Sequence, residues 1–248
     1  MNIVLFSPEE ISEPLCIKDS RATHILQILH KKTGDTFEAG IINGKAGLAT
    51  IKSITEKDIS FEFESNSEGK PLYPLTMIIG FPRPIQLKRL LRDVASLGVC
   101  AVHLTATELG EKSYLKSTLS QHENAYSMLK DGSIQAKSSH VPQLYIHSSL
   151  KECLGFFSEN QKSLRIALDN VKPECHLLKL PEFDQDCKNK LLSLGVLAAI
   201  GSERGWTDKE RNLLIDSGFT LCGMGQRILR TETASTVAAG LIISKMEI

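Results

Sequence analysis

Apolar and polar positions follow two different rhythms in the two parts of this chain. Near its start, the runs "NIVLF", "DTFEAGII", "AGLATIKSI" and "ISFEF" are short, β-rich and interleaved with polar residues. Gly34-Asp35, Asn43-Gly44 and Lys57-Asp58 punctuate them. An Asn-Gly pair between apolar runs predicts a tight hairpin. One stretch departs from the pattern: "SRATHILQILHKKTG" places Ile25, Ile28 and Leu29 on one helical face, with Gly34 as a stop. Together these signals predict a small β-barrel carrying one helix.

"ESNSEGKPLYP" then interrupts the rhythm with Gly69, Pro71 and Pro74, which is linker chemistry. The expected domains are therefore 1–68 and 72–248. In the second, the apolar runs "LTMIIG", "CAVHLTA", "LRIALD", "GVLAAIG" and "GFTLCG" alternate with helical stretches. "PIQLKRLLRDVASLG" shows a stripe of Leu87, Leu90, Leu91, Val94 and Leu97, and "DKERNLLIDSG" and "TASTVAAGLIISK" are further helices. Such alternation predicts an α/β domain with a mostly parallel sheet covered on both faces. Ligands of these sheets bind in loops at the carboxyl ends of strands. Three loops qualify, after Leu168, Ile200 and Cys222.

Composition narrows the class. The 248 residues are 42% hydrophobic and 23% charged, ordinary for a soluble globular protein. No run approaches the ~20 apolar residues of a membrane helix. "MNIVLFSPEEI" lacks the basic leader and cleavage site of a signal peptide, so a cytoplasmic location and no membrane partner are expected. Formal net charge is zero, so attraction to a nucleic acid requires a local basic patch. The six cysteines include no C-x-x-C pair, which predicts reduced core thiols rather than a disulfide frame or a zinc site. No metal is expected.

"GMGQRI" begins like a dinucleotide fingerprint, but Ile228 stands at the third glycine position and no further sheet follows. "GSERGW" lacks the Gly-Lys-Ser/Thr of a phosphate loop. What remains is a pair of glycine-bearing loops, "AIGSERGW" and "CGMGQRILR". Glycines let backbone approach a ligand closely, and Ile200, Met224, Ile228 and Leu229 can cover a flat base. Ordinary tight turns are the competing reading. In the helix that follows, Thr231 or Thr233 is placed to cap the N-terminus. Ala234, Ala238, Ala239 and Gly240 form a small-residue surface suited to close helix contact, within the chain or across a dimer.

"GFTLCGMGQRILRTETA" strongly resembles the C-terminal signature of the RsmE family, the uridine-N3 methyltransferases of 16S ribosomal RNA. "AIGSERGWTDKE" resembles that family's Ile-Gly-Pro-Glu-Gly-Gly-Phe loop. "SLGVCAVHL", "EKSYLKS", "DGSIQAKSSHVPQL" and "RATHILQILHKKTGD" resemble further family segments, in order along nearly the whole chain. Ser202 and Arg204 replace the usual proline and the first of the glycine pair. His30 and Ser138 stand where arginines are common.

The resemblance implies a PUA-like RNA-binding β-barrel followed by a SPOUT α/β domain whose chain forms a trefoil knot. It implies a homodimer that binds S-adenosylmethionine and acts on the small ribosomal subunit. The cofactor residues would be Leu168, Ile200, Gly201, Gly205, Met224, Gly225, Ile228, Leu229 and Arg230. Arg230 and Arg227 would stabilise charge on the uracil, with Glu232 orienting an arginine or accepting a proton. RNA contacts would come from Arg21, His24, His30, Arg83, Lys88, Arg89, Lys112, Gln135 and Lys137, with Arg92 and Lys116 extending the basic stripe. The alternative is a non-catalytic RNA-binding or ribosome-assembly factor that kept the fold.

Overall fold

The computed structural model describes residues 2–158, 162–184 and 187–247. The chain divides into two compact units, Met1–Pro71 with Asp131–Val141, and Leu72–Lys130 with Pro142–Ile248. The segment 131–141 thus belongs with the first unit although the chain reaches it much later.

The first unit holds β1 (Val4–Phe6), β2 (Leu15–Cys16), β3 (Thr36–Ile41), β4 (Ala46–Ile54) and β5 (Asp58–Ser67). They form a five-stranded sheet in the order β1-β3-β4-β5-β2. Register shifts at Ala46/Gly47 and Ile51/Ser53 bend it. Alternation along the strands sends Phe37, Ala39, Ala49, Ile51 and Ile59 into one core with Phe6 and Ile25. The expected Asn-Gly hairpin joins β3 to β4, with Asn43 at φ 58°, a left-handed geometry that Asn tolerates. The returning segment anchors on this turn. Ser139 Oγ donates to the Gly44 carbonyl at 2.6 Å and the Val141 N–H donates to Asn43 Oδ1 at 2.9 Å.

The single helix expected from residue 20 onward is corrected. A short α1 (Ser20–Thr23) passes into a π-helical turn, His24–Ile28. The Leu29 N–H reaches back to the His24 carbonyl at 2.9 Å, and the extra residue per turn rotates the following side chains outward. Ile25 is buried, but Ile28 is 64% exposed and Leu29 36%, so the three do not share a buried face.

In the second unit, seven strands run parallel in the order β10-β12-β9-β11-β6-β7-β8. They are β6 (Tyr73–Gly80), β7 (Val99–Thr105), β8 (Gln143–His147), β9 (Leu164–Leu168), β10 (Cys175–His176), β11 (Val196–Ile200) and β12 (Thr220–Gly223). The helices are α2 (Pro84–Ser96), α3 (Lys112–Leu115), α4 (His122–Gln135), which runs on into the first unit from Asp131, α5 (Leu150–Gly155), α6 (Cys187–Leu194), α7 (Asp208–Asp216) and α8 (Thr231–Glu247). β11 is buried along its whole length, as an unbroken apolar run in a covered parallel sheet must be. Leu87, Leu90, Leu91 and Val94 of α2 are fully buried. α8 packs on α2, α6 and β6. Its Ala238 and Ala239 are buried completely in that contact, so these small residues serve close packing within the chain. The side of α8 left outward carries Thr233, Val237 and part of Gly240.

Candidate active site

Strand register builds the site. Leu168, the last residue of β9, pairs with Ile200 of β11 on one side and Cys222 of β12 on the other. Three neighbouring strands therefore stop level, and the loops that follow lie side by side. They enclose a pocket of about 270 Å³ lined by residues 168–171, 200–205 and 227–229 together with Cys222, Met224, Gly225, Thr231 and Ala234. The structure thus brings together Leu168, Ile200, Gly201, Gly205, Met224, Gly225, Ile228 and Leu229. Arg227 also lines the pocket, whereas Arg230 is exposed just outside it.

The two glycine loops are shaped differently. In the first, a Cβ on Gly201 would lie 3.0 Å from Gly205 backbone atoms, so a larger residue there would press the two ends of the loop apart. Gly225, in the second, has φ +118°, a conformation other residues rarely adopt, and no atom lies within 4 Å of where its Cβ would be. Beside it Ile228 is 80% exposed, an apolar side chain held in water at the mouth of the pocket.

Buried polar contacts tie the loops together. The Trp206 indole N–H donates to the Leu168 carbonyl at 3.0 Å, and the Thr231 hydroxyl donates to the Gly201 carbonyl at 3.2 Å. Thr231 is the first residue of α8, and its side chain bridges to this neighbouring loop instead of capping its own helix. Asp169 is held by Arg211 at 2.5 Å, with side-chain exposures of only 1% and 9%. The other Asp169 oxygen accepts the N–H groups of Val171 and Lys172, which folds the loop after β9 into a turn. Sequence pattern singled out neither Asp169, Arg211 nor Trp206. Asp169-Asn170 directly after a strand is a recognisable turn signal, but nothing local marks Arg211 as facing inward.

Charged residues around the site are mostly paired. Arg83 meets Glu203 at 3.2 Å and Arg204 meets Glu111 at 3.3 Å. Lys88 and Arg89 are exposed on α2, with Arg89 3.8 Å from Asp93. Lys112 and Lys116 border a separate cleft of about 1080 Å³, where Glu108, Glu111, Asp208 and Glu210 offset their charge. Within the first unit, Arg21 donates to Glu10, Asp19 and the Leu5 carbonyl, and His24 is buried. His30 and Gln135 are exposed, and Lys137 is bound to Glu38 at 2.6 Å. Glu232 is 8% exposed, and its Oε2 has no hydrogen-bond partner among the described residues. It does not line the pocket. Among the described residues it makes no ion pair with Arg227 or Arg230.

A family model described as an RNA methyltransferase domain matches residues 68–243. Over 98% of its length the chain is 42% identical to ribosomal RNA small subunit methyltransferase E of Treponema pallidum, covering 91% of that protein. The chain belongs to this methyltransferase family. A second member, ribosomal RNA small subunit methyltransferase E 1 of Borreliella burgdorferi, is 29% identical, with 99% of each chain covered. The small subunit methyltransferase E of Neisseria gonorrhoeae, crystallised with S-adenosyl methionine, has the same fold: TM-score 0.74, 19% identity, 98% of this chain and 97% of that one covered. A putative methyltransferase of Legionella pneumophila, solved with bound S-adenosyl methionine, gives TM-score 0.76 at 19% identity, with 98% and 97% covered. The stretch matched to the methyltransferase family takes in all three pocket loops.

Proposed function

We propose that the chain transfers a methyl group from S-adenosylmethionine to N3 of a uridine in 16S ribosomal RNA, at the pocket formed after β9, β11 and β12. The observation that carries this reading is the level ending of those strands at Leu168, Ile200 and Cys222 beneath two glycine loops. The lining fits the cofactor. Leu168, Ile200, Met224, Ile228 and Leu229 offer apolar cover for adenine, and the exposed Ile228 gains a partner when the base lies on it. Ser202 Oγ is buried in the pocket wall with no hydrogen-bond partner among the described residues, a place for a polar group of the ligand.

S-adenosylmethionine supplies an electrophilic methyl group on a sulfonium, and such a transfer requires no metal. Uridine N3 carries a proton and becomes nucleophilic once that proton is lost, so the protein must orient N3 and favour the anionic base. Arg230, with Arg227 beside the pocket, stabilises the charge that develops on the uracil oxygens. Both guanidiniums are exposed and make no ion pair among the described residues, which leaves them free for substrate. Glu232, buried in the first turn of α8, places its charge where a helix N-terminus favours it.

In this reading the first unit is a PUA-like barrel that grips RNA and the second a SPOUT domain with a trefoil knot. Two copies meet along the outward face of α8, at Thr233, Val237 and Gly240. The enzyme works in the cytoplasm; none of the described helices is long and apolar enough to cross a membrane. Because a stacked base hides N3, the target uridine is extruded before reaction. The test is mass mapping of 16S RNA from a strain lacking the gene. One N3-methyluridine should vanish and return with a plasmid copy; an unchanged methylation map overturns the reading.

A further inference from the structure

One cluster of chemically competent side chains lies outside the pocket. β7, β8 and α5 place His103, His147 and Cys153 together, all buried. Parallel pairing sets His103 opposite Tyr145, so His147 lies two residues further along the same face of the neighbouring strand. The two imidazole rings are near-parallel, at 4° and 5.1 Å between centroids, and His103 Nδ1 is 2.9 Å from His147 Nε2. One ring nitrogen from each histidine and Cys153 Sγ all lie within 4.8 Å of one another.

We propose that His103, His147 and Cys153 form a binding site for a thiophilic divalent metal ion, best matched by zinc, that fastens α5 to the β7–β8 edge of the sheet. Two imidazole nitrogens and a thiolate are the donor set of borderline-soft ions and suit magnesium or calcium poorly. Zinc–nitrogen bonds of ~2.0–2.1 Å and zinc–sulfur bonds of ~2.3 Å put tetrahedral ligand atoms roughly 3.3–3.6 Å apart. The present separations, from 2.9 Å to within 4.8 Å, span that value, so small side-chain rotations complete the triangle. A carboxylate stands nearby: His147 Nδ1, the ring nitrogen not paired with His103, is 3.9 Å from Glu152 Oε1, a short side-chain movement from a hydrogen bond, and Glu152 is itself held by the Ser148 N–H and hydroxyl. A carboxylate behind a histidine orients the ring and strengthens it as a ligand. Phe156 and Phe157 pack on His103 at 5.1 Å and 4.7 Å and shield the site from water. A water molecule would complete the coordination. β8 ends the sheet order, so a metal cross-link there holds an edge strand. The ligands are spread from position 103 to 153 without a linear motif, which is why the cysteine pattern predicted only core thiols.

The test uses the full-length protein, stripped by chelator and titrated with cobalt(II). Wild type should take up one equivalent with a thiolate-to-cobalt charge-transfer band that zinc abolishes. Cys153→Ser, nearly isosteric, should lose the band. Glu152→Gln should weaken zinc affinity ~10–100-fold, the usual effect of removing such an outer carboxylate. Zinc should raise the thermal midpoint of wild type and leave that of Cys153→Ser unmoved, with circular dichroism confirming that both fold. Three results each overturn the site: no stoichiometric uptake by wild type, a band unchanged in Cys153→Ser, or a band lost instead in Cys222→Ser, whose sulfur lies 3.7 Å from that of Cys175.

Discussion

The hydroxyl of Thr231 donates a buried hydrogen bond to the carbonyl of Gly201 across 3.2 Å. That contact fixes the first residue of α8 to the loop after β11, and so joins the two glycine loops of the pocket. Thr231→Val keeps the side-chain shape and removes the donor, leaving a buried carbonyl without its partner. Stability should fall by about 1–2 kcal/mol, and S-adenosylmethionine affinity should fall with it. Urea denaturation and calorimetric titration check this; no change in either would show that the bond positions nothing.

Asp169 and Arg211 make the strongest case for a buried ion pair at the site, 2.5 Å apart and almost wholly enclosed. Arg211→Met should destabilise the second unit by about 3–5 kcal/mol, because a buried carboxylate loses its counter-charge. Arg211→Met with Asp169→Leu should recover part of that loss. If denaturant midpoints show the single variant shifted by less than about 1 kcal/mol, Asp169 has another source of compensation.

The two glycine loops of the pocket were legible in sequence because their signals are local, short apolar runs ending in glycine with a helix behind each, whereas the loop after Leu168 was marked only as the end of a strand. What fastens the pocket was not legible. Asp169 meets Arg211 of α7, and His103 and His147 meet Cys153 of α5, only because strand register and the packing of helices on the sheet join positions far apart in the chain. The same holds for residues 131–141, which anchor on the Asn43-Gly44 turn through Ser139 and Val141. Apolar periodicity also misplaced Ile28 and Leu29, since it assumes an unbroken α-helix and the π-turn at His24–Ile28 changes the angular step. Arg21 shows a further limit. The family resemblance implied an RNA contact there, and only the fold reveals Glu10 and Asp19 around it.

That arrangement has a pH signature. Hydrogen bonding to the Arg21 guanidinium holds the Glu10 carboxyl down to about 2. An unfolded glutamate titrates near ~4.3, so the pair stabilises the folded first unit above that pH and loses its contribution as pH falls toward 2. Glu10 is about half exposed, which limits the effect to about 1 kcal/mol. Protection of the β1 amides against hydrogen exchange in wild type should weaken over that window, while Glu10→Gln should be less stable at neutral pH and flatter below it. Parallel profiles would rule the contribution out.

Arg230→Ala should lower methyl transfer far more than cofactor affinity, since a charge-stabilising donor acts mainly in the transition state. Removing one such donor commonly reduces the rate ~10²–10³-fold. Single-turnover rates across a protein dilution series separate this from a role in assembly: full recovery at high protein concentration would place Arg230 in an interface instead.

The central claim is methyl transfer to uridine N3 from a cofactor seated at the Gly201 and Gly225 loops. The most direct measurement incubates purified wild type and Gly225→Val with labelled S-adenosylmethionine and undermethylated small subunits, then identifies the modified nucleoside by mass spectrometry. Wild type should deposit about one methyl group per subunit as N3-methyluridine. Gly225→Val, folded by circular dichroism, should bind the cofactor weakly and transfer little, because its backbone at φ +118° excludes a β-branched residue. Methyl found on another atom, or full activity in Gly225→Val, would contradict the account.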